Sequence, residues 1–151
     1  RIGDGQPFAW RLDVAAALAG LDLSPGRRLE WREYDDDDLA RSRTVAADPS
    51  AWGDVILARR EIPTSYHLSV VLDDALQGVT HVVRGRDLYH ATAIQRLLQE
   101  LLGLPPPRYR HHRLIVDAEG RKLSKSLRHT GLAALRADGK TPEDVRRLAG
   151  L

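Results

Sequence analysis

The sequence predicts an α/β fold, a parallel sheet with helices flanking it. Three short apolar or β-branched runs carry that expectation, at 54–58, 79–83 and 109–116. Between them lie two apolar stripes at helical spacing. The first is Leu68, Val71, Leu72, Ala75 and Leu76; the second is Ile94, Leu97, Leu98, Leu101 and Leu102. Strand, helix, strand, helix, strand is the pattern of parallel neighbours, because a parallel pair needs a crossover long enough to hold a helix. Ligands in such sheets bind beyond the carboxyl ends of the strands, and Arg84 falls at one of those ends.

The elements follow in chain order. Residues 8–13 alternate imperfectly and are expected to form a strand. The alanine-rich stretch 14–19 is expected to be a short helix, with Gly20 behind it. Pro25-Gly26 signals a turn. Residues 29–34 alternate Leu, Trp and Tyr with charged residues and read as a strand. Residues 35–50 are polar and read as a loop. The aspartates 35–38 are read as solvated rather than as a Mg²⁺ site, since four consecutive carboxylates cannot all face one ion. Pro63-Thr64-Ser65 provides a turn and a helix cap, and Gly78 a stop. Gly85 breaks the strand at 79–83. Gly103 and Pro105-Pro106-Pro107 end the second helix, and Asp117-Ala118-Glu119-Gly120 makes a turn. Two short helices close the chain, at 130–137 and 142–149. Thr141, Pro142 and Asp144 give the second a cap, a proline in the first turn and a capping-box acid.

Composition sets the outer limits. The chain has 151 residues, enough for one domain with a modest core. No run approaches the roughly 18–20 apolar residues that span a bilayer, and the polar N-terminus does not resemble a signal peptide. A cytoplasmic location and a monomer, with no membrane partner, are the expectation. There are no cysteines, so disulfides and thiolate metal sites are excluded within this chain. The net charge of +2, from 23 Lys and Arg against 21 Asp and Glu, argues against blanket attraction to DNA. Basic residues nevertheless gather at 108–113 and 121–128, where a polyanion could dock.

The sharpest chemical feature is Lys122-Leu123-Ser124-Lys125-Ser126, which follows a strand and a glycine turn. Two lysines three positions apart on a loop can both reach one triphosphate, each as a compact cation with three donors. Such a loop can stabilise charge that builds in a transition state. Five residues alone do not separate that role from a solvated basic loop. Context does. The segments Asp54-Val55-Ile56-Leu57-Ala58-Arg59-Arg60, Pro63-Thr64-Ser65-Tyr66-His67-Leu68, Thr80-His81-Val82-Val83-Arg84-Gly85 and Leu101-Leu102-Gly103-Leu104-Pro105 precede the loop in that order. Together they resemble the glutamyl subgroup of class I aminoacyl-tRNA synthetases, strongly over 52–126 and weakly at the flanks. The pentapeptide resembles that family's KMSKS signature, with Leu in place of Met.

The resemblance implies a fold, a site and a reaction. The fold is the second half of a class I synthetase Rossmann-type catalytic domain at 52–128. Residues 1–51 would be the connecting region after an absent first half, and 129–151 a short C-terminal helical segment. Tyr66 matches the tyrosine lining the amino-acid pocket, and Arg84 the arginine that binds a glutamate carboxylate. Lys125 matches the second lysine of the signature loop, which contacts ATP phosphates, with Lys122 and Ser124 assisting. Leu114 and Ile115 stand where the family presents backbone to adenine. ATP, L-glutamate and Mg²⁺ are the implied small molecules. The family's zinc cysteines, where present, belong to the absent half.

Nothing in the chain resembles the histidine- and glycine-rich HIGH signature of that first half, so a fragment that is inactive alone is expected. Only 25 residues follow Ser126, and Val70 stands where many full-length glutamyl enzymes carry a polar residue. Both features resemble the short glutamyl-queuosine branch, which activates glutamate and transfers it to the queuosine base of tRNA(Asp). A piece of a glutamyl-tRNA synthetase charging tRNA(Glu), or a non-catalytic RNA-binding paralogue, are the other readings. His111-His112, with His81 and His90, are not expected to share a metal, because neighbouring strand residues face opposite ways. Asp73 and Asp74 diverge by about 100° on a helix and are read as capping, surface-pairing or packing residues.

Overall fold

A computed structural model describes residues 8–21, 27–35, 38, 40–116, 119–123 and 131–150. The chain divides into two compact units, Arg1–His112 and Arg113–Leu151.

The first unit is α/β. Its elements in order are β1 (Ala9–Leu12), α1 (Val14–Gly20), β2 (Glu30–Tyr34), β3 (Ser42–Ala46), β4 (Val55–Arg59), α2 (Tyr66–Leu76), β5 (His81–Gly85), α3 (Ala91–Leu101) and β6 (Arg108–His112). The main sheet has the order β3-β2-β6-β5. β6 runs parallel to both β5 and β2, while β3 is antiparallel to β2. The expected parallel sheet with flanking helices is therefore present, with one change of membership. The strand at 54–58 does not join it. As β4 it pairs antiparallel with β1 in a separate two-stranded sheet, and β2 takes the third parallel place. Strand patterning identifies an extended segment but not its partner.

Residues 35–50 are not all loop. β3 lies there, and a 3₁₀ turn at Pro49–Trp52 follows it. β3 is exposed except at Val45, so its hydrogen bonds to β2 define it and no apolar alternation announces it. Three elements have bounds that differ from those expected. Gly20 is the last residue of α1 rather than its stop. β5 begins and ends two residues later than the apolar run 79–83. β6 ends at His112, well short of 116.

The core joins Val14, Leu29, Val55, Val71, Ile94, Leu97 and Leu98. α3 is its centre: every residue from Ala91 to Gln99 is buried. The expected stripe surfaces at its far end, where Leu101 and Leu102 are exposed. α2 buries Val71 but leaves Leu72 and Leu76 exposed. Ser65 caps α2 by accepting from the Leu68 N–H, as its place after Pro63-Thr64 predicts.

In the second unit, α4 (Leu132–Ala137) and α5 (Pro142–Ala149) lie close to their expected bounds. Thr141 and Asp144 form the reciprocal capping box. At the other end of α5, Arg113 Nη2 donates to the Ala149 and Gly150 carbonyls at 2.6 and 2.7 Å, a cation on the negative end of the helix dipole. The turns at Pro25-Gly26 and 117–118 and the start of the helix expected at 130 lie outside the described residues. No described helix is long and apolar enough to cross a membrane.

Candidate functional site

Strand parity brings the site together. β5 and β6 pair as Val82 with Tyr109 and Arg84 with His111, and β2 joins them with Glu33 opposite Tyr109. Paired residues share a face, so Trp31, Glu33, Tyr109, His111 and Arg84 all lie on one side of the sheet. Tyr109, His111, Glu33 and Trp31 are buried there. His112, the next residue, is exposed, as alternation requires.

Arg84, half-buried at the carboxyl end of β5, is held on one edge. Its Nε donates to His111 Nε2 at 3.0 Å, and its Nη2 donates to Thr92 Oγ1 at 2.7 Å and to the Leu88 carbonyl at 3.3 Å. Its Cζ lies 5.2 Å from the centre of the Tyr109 ring, an attractive cation–π placement. Nη1 has no hydrogen bond among the described residues. His111 can accept from Arg84 only if Nε2 carries no proton, which places the ring hydrogen on Nδ1. That nitrogen lies 3.0 Å from both carboxylate oxygens of Glu33.

Glu33 is the floor of the network. It accepts from Trp31 Nε1 at 2.8 Å and from the His111 backbone N–H at 3.0 Å. Burial pushes its carboxyl up, but the hydrogen bonds from His111 and Trp31 outweigh burial and hold it below the usual carboxylate range. Tyr89 closes the cluster edge-on to both Trp31 and His111, with ring centres 5.5 and 5.0 Å away. Gln99 Nε2 donates to the Tyr109 hydroxyl at 3.0 Å.

Tyr66 opens α2 and is 52% exposed, its ring edge-on to His67. His67, the next residue, feels the charge of the guanidinium. Burial first, and then the positive charge of Arg84, push its pKa down. Asp74, about two helical turns further along α2, is pushed up by burial, while Arg84 pulls it the other way. Arg84 thus contacts Thr92, Tyr109 and His111 directly, and its charge is felt at His67 and Asp74. Sequence reading singled out Tyr66 and Arg84 and missed Glu33, Thr92 and His111 as a unit. One signal was available: Glu33 shares parity with Trp31 and Leu29, so a carboxylate was placed on an apolar face.

Leu114, Ile115 and Lys122 belong to the second unit. Val116 and Lys122 form an antiparallel bridge, and the Leu123 N–H donates to the Ile115 carbonyl at 3.1 Å. Gly120 turns the chain between them with φ of 76°, a left-handed conformation suited to glycine. Lys122 is exposed, and Ile115 is 42% exposed. Ser124 and Lys125 lie outside the described residues.

The model of the family described as tRNA synthetases class I (E and Q), catalytic domain, matches residues 32–149. The chain belongs to that family. Among curated relatives, the glutamyl-Q tRNA(Asp) synthetase of Rhodobacter capsulatus is 50% identical over 141 residues, which are 93% of this chain and 48% of that protein. The enzyme of the same name from Pseudomonas syringae is 50% identical over 124 residues, covering 82% of this chain and 41% of its own. The chain therefore spans less than half the length of these relatives. Among solved structures, a glutamate tRNA ligase from Elizabethkingia meningosepticum is 31% identical with a TM-score of 0.47, covering 56% of this chain and 17% of its own.

Proposed function

We propose that this chain supplies the glutamate-recognising and ATP-phosphate-binding part of an enzyme that activates glutamate as glutamyl-adenylate and transfers it to queuosine of tRNA(Asp). The observation that carries the reading is Arg84: a half-buried guanidinium at the carboxyl end of a parallel strand, anchored on one edge, with Nη1 uncommitted among the described residues. Arginine in such a setting prefers a carboxylate to a carboxamide, because a carboxylate brings an opposite charge and two accepting oxygens to the guanidinium fork, whereas a carboxamide brings one oxygen and an NH2 group that cannot accept. A grip by both Nη1 and Nη2 displaces the Leu88 carbonyl, the longest of the three bonds. Family membership and the names of relatives at 50% identity support the same substrate class.

In this reading Tyr66 walls the amino-acid pocket. Lys125 and Lys122, with Ser124, hold the ATP phosphates, and the backbone at Leu114 and Ile115 meets the adenine. The Ile115 carbonyl already accepts from Leu123, so its N–H is the better group for reading a base. Mg²⁺ travels with ATP, whose phosphate oxygens are its natural ligands.

Pyrophosphate exchange by the gene product that carries this chain tests the reading. Glutamate-dependent exchange without any tRNA, followed by transfer of labelled glutamate to queuosine-containing tRNA(Asp), is the expected result. Exchange that requires tRNA(Glu), or label that reaches tRNA(Glu) and not tRNA(Asp), would assign the chain to a glutamyl-tRNA synthetase. No exchange with any amino acid would leave a non-catalytic binding protein.

A further inference from the structure

We infer that Thr92 and His111 are positioning residues for Arg84, and that Glu33 sets His111 for that task. The inference rests on the reading of Arg84 as the group that binds glutamate. A guanidinium on a long side chain samples many rotamers, and a ligand that must first immobilise it binds more weakly for that reason. Here the cost is met before any ligand arrives. Thr92, fully buried at the start of α3, takes Nη2 at 2.7 Å, and His111 takes Nε at 3.0 Å. The two supports come from different elements and meet the same edge of the guanidinium plane, so both its direction and its roll are fixed.

Glu33 acts one step further back. As a carboxylate it can only accept, so it holds the hydrogen of His111 on Nδ1 and leaves Nε2 as the acceptor that Arg84 needs. A His111 protonated on Nε2 would set donor against donor, and the guanidinium would lose one of its two supports. Burial sharpens this dependence. His111 and Glu33 are 2% and 5% exposed, so water cannot readily take over for either partner.

The test is glutamate-dependent pyrophosphate exchange by the gene product, with the KM for glutamate, the KM for ATP and kcat resolved separately. Thr92→Val removes the hydroxyl and keeps the shape. It is expected to raise the glutamate KM about 10-fold, the loss of one charge-assisted bond, with the ATP KM unchanged. Thr92→Ser restores the hydroxyl and is expected to return the glutamate KM to within about 2-fold of wild type. Should the valine variant fail to fold by thermal melting, Thr92→Ala removes the same hydroxyl from a smaller side chain and takes its place. Glu33→Gln offers His111 a donor as well as an acceptor, frees its tautomer, and is expected to raise the glutamate KM several-fold.

Arg84→Ala separates the two levels. If it weakens glutamate while the Thr92 and Glu33 variants do not, the positioning role is wrong and Arg84 still binds the substrate. A Thr92→Ser variant as impaired as Thr92→Val also overturns the role, because packing and not the hydroxyl then matters. If Arg84→Ala leaves the glutamate KM unchanged, the reading of the site itself fails, and the positioning role with it.

Discussion

Removing the Glu33 carboxylate is the most informative single perturbation of the first unit. Glu33→Ala strands three donors: the Trp31 indole N–H, the His111 backbone N–H and the His111 ring N–H, now 2.8, 3.0 and 3.0 Å from an acceptor. A buried donor left without a partner costs about 1–3 kcal/mol. The three share one acceptor and do not add, so the loss is placed at about 3–5 kcal/mol, the range for a buried pair broken on one side. Small domains are stable by roughly 5–15 kcal/mol in total, and the melting temperature is expected to drop by on the order of 10–20 °C. Urea unfolding at neutral pH measures the difference. Its pH dependence supplies a second check. The carboxyl is depressed in the folded state, so its contribution is complete above its ordinary value of 4.5 and disappears as pH falls through the folded value. The gap between wild type and variant must therefore close on the acid side and stay open at neutral pH. An unchanged urea midpoint, or a gap that closes as pH rises, would refute the network as described.

Three further outcomes are expected. Arg84→Ala weakens glutamate by roughly 30-fold or more, from the about 2–5 kcal/mol of a buried charge pair broken on one side, while calorimetry finds ATP affinity retained. Lys125→Ala lowers the rate of pyrophosphate exchange by roughly 10²–10³, the loss of one donor to a transition state, with little change in glutamate KM. Leu97→Ala, at a fully buried position of α3, destabilises the first unit by about 2–5 kcal/mol in urea unfolding.

Local signals in the sequence were strong where the chain itself supplies both partners. Thr141, Pro142 and Asp144 announce α5, and the capping box forms within three residues. Ser65 likewise caps the helix it precedes. The apolar stripes of α2 and α3 name the right helices, though Leu76 and Leu102 end at the surface. Signals that depend on a distant partner were not legible. β3 is an exposed strand whose only cause is β2, and β4 reads as a strand without revealing that β1 is its neighbour. The site divides in the same way. Arg84 stands out because a strand ends at Gly85, but its supports are scattered: Thr92 is 19 positions from His111, and Glu33 is 78 positions from it. Only folding makes them adjacent.

The inner edge of the Arg84 guanidinium has a bearing on how freely position 84 can change. One ammonium cannot face Thr92, His111 and an incoming ligand at once, so Arg84→Lys is a severe replacement despite conserving charge. A neutral residue would leave Thr92 Oγ1 and His111 Nε2, 3.2 Å apart, to satisfy each other and would remove the guanidinium that both now accept from. On the proposed reading of Arg84, a change of preferred substrate therefore calls for coordinated change at 84, 92 and 111, whose groups are arranged around a guanidinium.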